Sequence, residues 1–204
     1  MNSKPVISVF SDFPETGITV ILIIIGVLTA VCIGRYAAGR FEGHKTRIPI
    51  IFAGLTLGVS ALMLWRYGTS ITALKGMILC LILLYCSYSD IKSRECDDSP
   101  HLMIAIAACI GTELCLLPSM LTAALAVLGG LFILMTVSKT DVNGADLKLA
   151  LACTFMLGLG RGLIGLTIGL VIAIAVNLVK LKNKKEGFPL IPYLAVGYMA
   201  AYLI

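Results

Sequence analysis

Uncharged stretches long enough to cross a bilayer recur along the whole chain, and this limits the fold more than any other feature. A membrane-spanning helix needs about 20 mostly apolar residues. Eight segments approach that length, at about 16–34, 48–65, 71–89, 101–117, 119–138, 144–159, 162–179 and 187–204. With 59% hydrophobic and 13% charged residues, a water-soluble fold could not hide the apolar side chains. We therefore predict an all-α polytopic membrane protein of about eight transmembrane helices, forming a single membrane domain, 1–204.

The positive charges predict the orientation of these helices. If the loop near 35–47 is cytoplasmic, alternation of the spans places twelve of the 16 Lys and Arg residues on that side, as cytoplasmic loops prefer. Both termini are then extracytoplasmic, and the protein lies in the plasma (inner) membrane. The net charge of +5 reflects this topology, and no nucleic-acid partner is expected. Residues 144–179 are too long for one span, so the run from Gly158 to Gly162 is predicted to turn the chain.

The cysteines and histidines do not indicate a metal site. The seven cysteines include no C-x-x-C pair, and the two histidines are far apart in sequence. Ligand sets for zinc need closer spacings of these residues. We therefore expect no metal, and nothing else in the sequence calls for a cofactor.

The acidic residues are concentrated where they suggest chemistry. Six of the 11 fall in two segments that the predicted topology brings to the cytoplasmic face: Asp90, Glu95, Asp97, Asp98, Asp141 and Asp146. Asp90 ends an apolar run. Asn143 is a candidate N-cap, which would place Asp146 in the first turn of the next helix.

Two carboxyl groups held close together share a proton, because both cannot ionise easily. One can then take a proton from water while the other protonates the amide that is broken. A first-turn carboxylate is favoured as an anion, and one at a helix C-terminus is disfavoured. On this basis Asp146 is predicted to carry the negative charge and Asp90 the proton. The alternative is that both acids are solvated helix ends.

Three segments resemble the type IV prepilin peptidases, membrane aspartic peptidases that include the preflagellin peptidases. Ser89–Arg94 resembles the segment around the first catalytic aspartate of the family, and Gly144–Leu149 resembles the GxGD motif around the second. Pro189–Gly197 is similar to a Pro- and Gly-marked pattern in the last helix of these enzymes. The resemblance covers roughly 76–200. It departs from the family pattern where Asn143 and Ala145 replace the two glycines of the motif.

The resemblance implies an aspartic endopeptidase that removes a short basic leader from prepilin-like precursors at the cytoplasmic face. Asp90 and Asp146 would be catalytic, and Asn143, Gly144 and Ala145 would form the motif backbone. Charged neighbours that would contact the substrate are Lys92, Lys148, Glu95, Asp97 and Asp98. Methylation of the new N-terminus is not expected, because the loop near 35–47 lacks the large cysteine-bearing insertion of family members that methylate.

Other interpretations stay open from the sequence. Gly165 and Gly169 form a small-residue face that would either admit a substrate helix or make a contact within the protein. Glu113, predicted to lie inside the fourth span, is the residue that a small ion- or proton-coupled transporter would use. A non-catalytic assembly factor for a pilus or secretion system is the third alternative.

Overall fold

The fold is known from a computed structural model, which describes residues 15–138, 144–180 and 189–204. Within these residues the chain forms eight α-helices and no strand. The helices are α1 (Glu15–Arg40), α2 (Arg47–Tyr67), α3 (Ile71–Ser93), α4 (Asp98–Cys109), α5 (Leu117–Ser138), α6 (Gly144–Leu157), α7 (Leu159–Lys180) and α8 (Ile191–Leu203). A short 3-10 helix, Leu114–Leu116, precedes α5. The all-α prediction is therefore confirmed.

In the part of the chain that the structure describes, five helices are long and apolar enough to cross a membrane: α1, α2, α3, α5 and α7. Many of their large apolar side chains face outward, where a bilayer would solvate them. The other three helices are shorter, with 12 residues in α4, 14 in α6 and 13 in α8. A span needs roughly 17 residues or more. The predicted eight crossings and the extracytoplasmic termini therefore stay predictions.

The chain divides into two compact units, the first ending at Tyr85 and the second beginning at Cys86. In the first unit, α1 packs closely on α2. A Cβ atom at Gly34 of α1 would lie 2.8 Å from the Cα atom of Pro49. The absence of a side chain at Gly34 therefore permits this close approach, as small residues do between membrane helices.

In the second unit, α6 packs against α4, α5, α7 and α8. The core of α6 is formed by Leu149, Ala150 and Cys153, which are almost fully buried. Because α6 contacts four other helices, its first turn has a well-defined position. Gly158, with φ +78°, separates α6 from α7, in a left-handed conformation that favours glycine. The predicted break in this region is thereby confirmed.

Glycines also bring α7 and α8 together. A Cβ atom at Gly197 would lie 2.5 Å from the main-chain nitrogen of Gly169, and one at Gly165 would lie 3.1 Å from the Cα atom of Tyr198. Of the two sequence-based interpretations of Gly165 and Gly169, the structure therefore favours contact within the protein. These faces are already occupied by α8.

The predicted position of Glu113 inside a span is wrong. The helix α4 ends at Cys109, and Glu113 is an exposed residue between α4 and the 3-10 helix. Gly111, with φ +61°, turns the chain just before it. Ile110, the residue before Gly111, is already extended, with ψ 119°. The apolar run that is predicted as one span from sequence is therefore a short helix followed by a turn.

Candidate active site

Asp90 lies in the last turns of α3 and is almost fully buried, with 4% of its surface exposed. Its Oδ2 atom accepts a hydrogen bond of 3.1 Å from the main-chain N–H of Ile191. The preceding N–H, that of Leu190, also faces this carboxyl group. Asp90 therefore contacts a distant part of the chain through main-chain donors.

These donors belong to the N-terminus of α8, of which Ile191 is the first residue. The first N–H groups of a helix have no partner within the helix, and the helix dipole adds positive potential there. A carboxylate is the natural acceptor at such a place. The contact thus favours the ionised form of Asp90.

Asp146 lies in the first turn of α6, as the sequence predicted. It is buried, with 9% of its surface exposed, and its Oδ1 atom has no hydrogen-bond partner among the described residues. Burial, and secondarily the negative charge of Asp90, raise the pKa of Asp146 to about 7. The two carboxyl groups are therefore close enough to influence each other.

The surroundings of the two acids favour the opposite of the predicted distribution of charge. Asp146 is buried without a hydrogen-bond donor at Oδ1, and its raised pKa favours the protonated form. Asp90 receives the main-chain donor of Ile191. The prediction used only the position of each acid along its own helix. Asp90 lies near the C-terminus of α3, but it also faces the N-terminus of α8, whose N–H groups favour its anion.

The connection between α3 and α4 folds back over the end of α3. The hydroxyl of Ser89 donates to the carbonyl oxygen of Glu95 at 2.6 Å, and that of Ser93 donates to the same oxygen at 3.1 Å. Arg94, with φ +59°, makes the reversal. The fold-back brings the thiol of Cys96 against that of Cys86 and close to both aspartates. The connection therefore forms one side of the candidate site.

Two of the residues predicted to contact substrate, Lys148 and Asp98, contact each other. The Nζ atom of Lys148 lies 2.6 Å from Oδ1 of Asp98, and this pairing holds the pKa of Asp98 below its usual value. Both side chains are largely exposed, so the ion pair adds little stability. It joins the first turn of α4 to α6, two residues after Asp146.

The other predicted site residues that the structure describes lie near the end of α3, in the α3–α4 connection or at the start of α6. Lys92 and Glu95 are exposed, and Asp97 is the residue before α4. Gly144 and Ala145 begin α6, and a Cβ atom at Gly144 would meet nothing within 4 Å. Asn143, the predicted N-cap, and Asp141 lie outside the described residues. Within those residues no three His, Cys, Asp or Glu side chains form a group that could hold a metal ion.

Comparison with protein families identifies the chain. The model of the type IV leader peptidase family matches residues 77–178, which is half of the sequence. The chain belongs to this family. Comparison with curated proteins and with solved structures gave no match. The suspected membership is thus confirmed, and it implies a leader peptidase in general terms.

The matched part of this leader peptidase contains both Asp90 and Asp146, but it ends before Pro189–Gly197. Sequence reasoning included that last segment through a resemblance and gave it no role at the site. It missed the N–H of Ile191, because main-chain donors have no side-chain signature. The one available signal was Pro192, a residue that favours the first turn of a helix and so marks where free N–H groups begin.

Proposed function

We propose that this family member is an aspartic endopeptidase that removes a short basic leader from type IV prepilin-like precursors. The observation that carries the proposal is the pairing of two buried carboxyl groups in different electrostatic environments. Asp90 accepts a main-chain hydrogen bond, and the buried Oδ1 of Asp146 has no partner among the described residues. Amide hydrolysis requires one acid that is ionised and can accept a proton, and a second acid beside it that is protonated and can donate one.

In the proposed reaction Asp90 takes a proton from water as the water oxygen bonds to the scissile carbonyl carbon. Asp146 donates its proton to the carbonyl oxygen, which gives a neutral tetrahedral intermediate. The C–N bond then breaks as Asp90 protonates the departing nitrogen and Asp146 takes back a proton from a hydroxyl of the intermediate. Both acids return to their starting states. The enzyme needs no metal or cofactor for these steps.

Charge supports the proposed orientation and the nature of the substrate. The excess of Lys and Arg in the loops on one side favours a cytoplasmic site in the plasma membrane. The connection between α3 and α4 carries Glu95, Asp97 and Asp98, which would attract a basic leader. Because Asp98 is paired with Lys148, we assign most of this attraction to Glu95 and Asp97. The precursor's own apolar helix would stay in the bilayer.

The transporter alternative loses its main support. It relied on Glu113 inside a span together with the interfacial acids, and Glu113 is exposed outside the helices. No described residue specifically favours a non-catalytic assembly factor either.

The pH dependence of leader removal tests the proposal. Because Asp146 has a pKa of about 7, it holds its proton below that pH and loses it above. Because cleavage needs this proton, kcat/KM is expected to fall above pH 7. The fall should approach about tenfold for each further pH unit. The measurement is kcat/KM for a purified prepilin-like precursor in detergent between pH 5 and 9, with products identified by mass.

A precursor whose leader lysines and arginines are changed to glutamine is the control, and we expect it to be cut less efficiently. No cleavage at any pH, or a rate that rises steadily to pH 9, would contradict the proposal.

A further inference from the structure

We propose that the main-chain N–H of Ile191 is a positioning group of the active site, which holds Asp90 ionised and oriented toward Asp146. This inference rests on the proposed aspartic peptidase function and assigns a role in it to the start of α8. The bond joins residues that are 101 positions apart in the chain, and it is buried. It is therefore a specific tertiary contact.

The anchoring of Ile191 supports this role. Its side chain is fully buried, with 0% exposed, and Pro192 follows it in the first turn of α8. A donor fixed by a buried side chain and a helix start can vary little in position. It also cannot titrate, in contrast to a lysine or a histidine. Its effect on Asp90 is therefore constant across the working pH range.

The helix α8 also contacts the element that carries the second acid. The hydroxyl of Tyr198 donates to the carbonyl oxygen of Ala150, one turn after Asp146, at the longer distance of 3.4 Å. Tyr198 itself is fully buried. One helix thus contacts Asp90 at its first residue and the Asp146 helix two turns later. We infer that α8 sets the relative position of the two carboxyl groups.

Several charged and titratable groups near Asp90 also affect its ionisation, and they can be compared with the N–H of Ile191. Arg94, from the α3–α4 connection, favours the anion of Asp90. Asp146 of α6 opposes it, as does ionisation of the Cys96 thiol. Arg94 is largely exposed, so water screens its charge. The buried N–H of Ile191 is consequently the principal short-range donor to the anion.

Removal of this one donor tests the inference. Proline at position 191 lacks the N–H but is tolerated at the start of a helix. In Ile191→Pro we expect kcat to fall about 10- to 100-fold with KM changed less than about twofold, as for loss of a hydrogen bond to a charged group. The acid side of the pH profile should also move up by about one pH unit, because a carboxylate without its donor holds a proton more tightly.

The matched control is Ile191→Ala, which keeps the N–H and loses only side-chain packing. It should lower thermal stability and shift the acid side of the pH profile much less than Ile191→Pro does. If Ile191→Pro does not fold, replacement of the amide at position 191 by an ester removes the N–H with the side chain intact, and it should reproduce the pH shift. An unshifted acid side in the folded proline or ester variant overturns the inference, while cleavage by the wild type upholds the proposed function. No cleavage by the wild type refutes both.

Discussion

Replacement of either Asp90 or Asp146 with asparagine is expected to reduce the rate of leader removal by at least about 10³-fold. Asparagine keeps the shape of the side chain but cannot take or give a proton at the pH of the reaction. General acid and general base catalysis each contribute roughly 10²–10⁴ to such rates. Because the two acids act as one unit, the cleavage rate of the double variant should lie within about tenfold of the rate of either single variant. Single-turnover cleavage of a prepilin-like precursor gives these rates.

The control for this experiment is Glu113→Gln, which neutralises an exposed carboxylate between α4 and α5. It should cleave at the wild-type rate, and all four variants should insert into membranes as well as the wild type does. A transporter that depends on Glu113 would show the opposite pattern. Near-normal cleavage by Asp90→Asn or Asp146→Asn would exclude the proposed mechanism.

Gly197→Ala is expected to destabilise the protein strongly. The new Cβ atom would lie 2.5 Å from the main-chain nitrogen and 2.8 Å from the Cα atom of Gly169. Backbone atoms cannot rotate away as a side chain can, so α7 and α8 must separate. Overpacking of this kind costs about 1–3 kcal/mol or more, and we expect the thermal midpoint in detergent to fall by about 5 °C or more. Cleavage should fall as well, because α8 carries the donor to Asp90.

The matched control is Gly129→Ala in α5, where an added Cβ atom meets nothing within 4 Å. Alanine is the better helix former, so this variant should be as stable as the wild type or slightly more stable. Equal thermal midpoints for Gly197→Ala and Gly129→Ala would show that the α7–α8 contact is looser than described.

The features predicted correctly from sequence are those with a local physical cause. The apolar segments mostly form helices, because a helix is one of the few structures that pairs all main-chain N–H and C=O groups of such a segment within a bilayer. Gly158 divides α6 from α7, since a left-handed residue ends a helix. Asp146 was placed in a first helical turn from the sequence around it, and Asp90 was placed near a helix end in the same way.

The features that sequence reasoning missed depend on contacts between distant segments. Position along α3 assigned the proton to Asp90, whereas the hydrogen bond from Ile191 favours its anion. Lys148 and Asp98 were assigned to substrate separately and contact each other, 50 residues apart in the chain. The length of the apolar segment placed Glu113 inside a span, but α4 ends at Cys109 and the chain turns at Gly111. In the first two cases the deciding partner is distant in the chain and cannot be identified from the local sequence.

The most direct test of the aspartate pair is an infrared titration of protein labelled with ¹³C-aspartate in detergent. The protonated carboxyl band of Asp146 should disappear with a midpoint near pH 7, and it should be missing from Asp146→Asn. In Asp90→Asn the band should titrate at lower pH, because the neighbouring negative charge that helps to retain the proton has been removed. A midpoint that is identical in the wild type and in Asp90→Asn would mean that the two carboxyl groups do not interact, and the account of the site would be wrong.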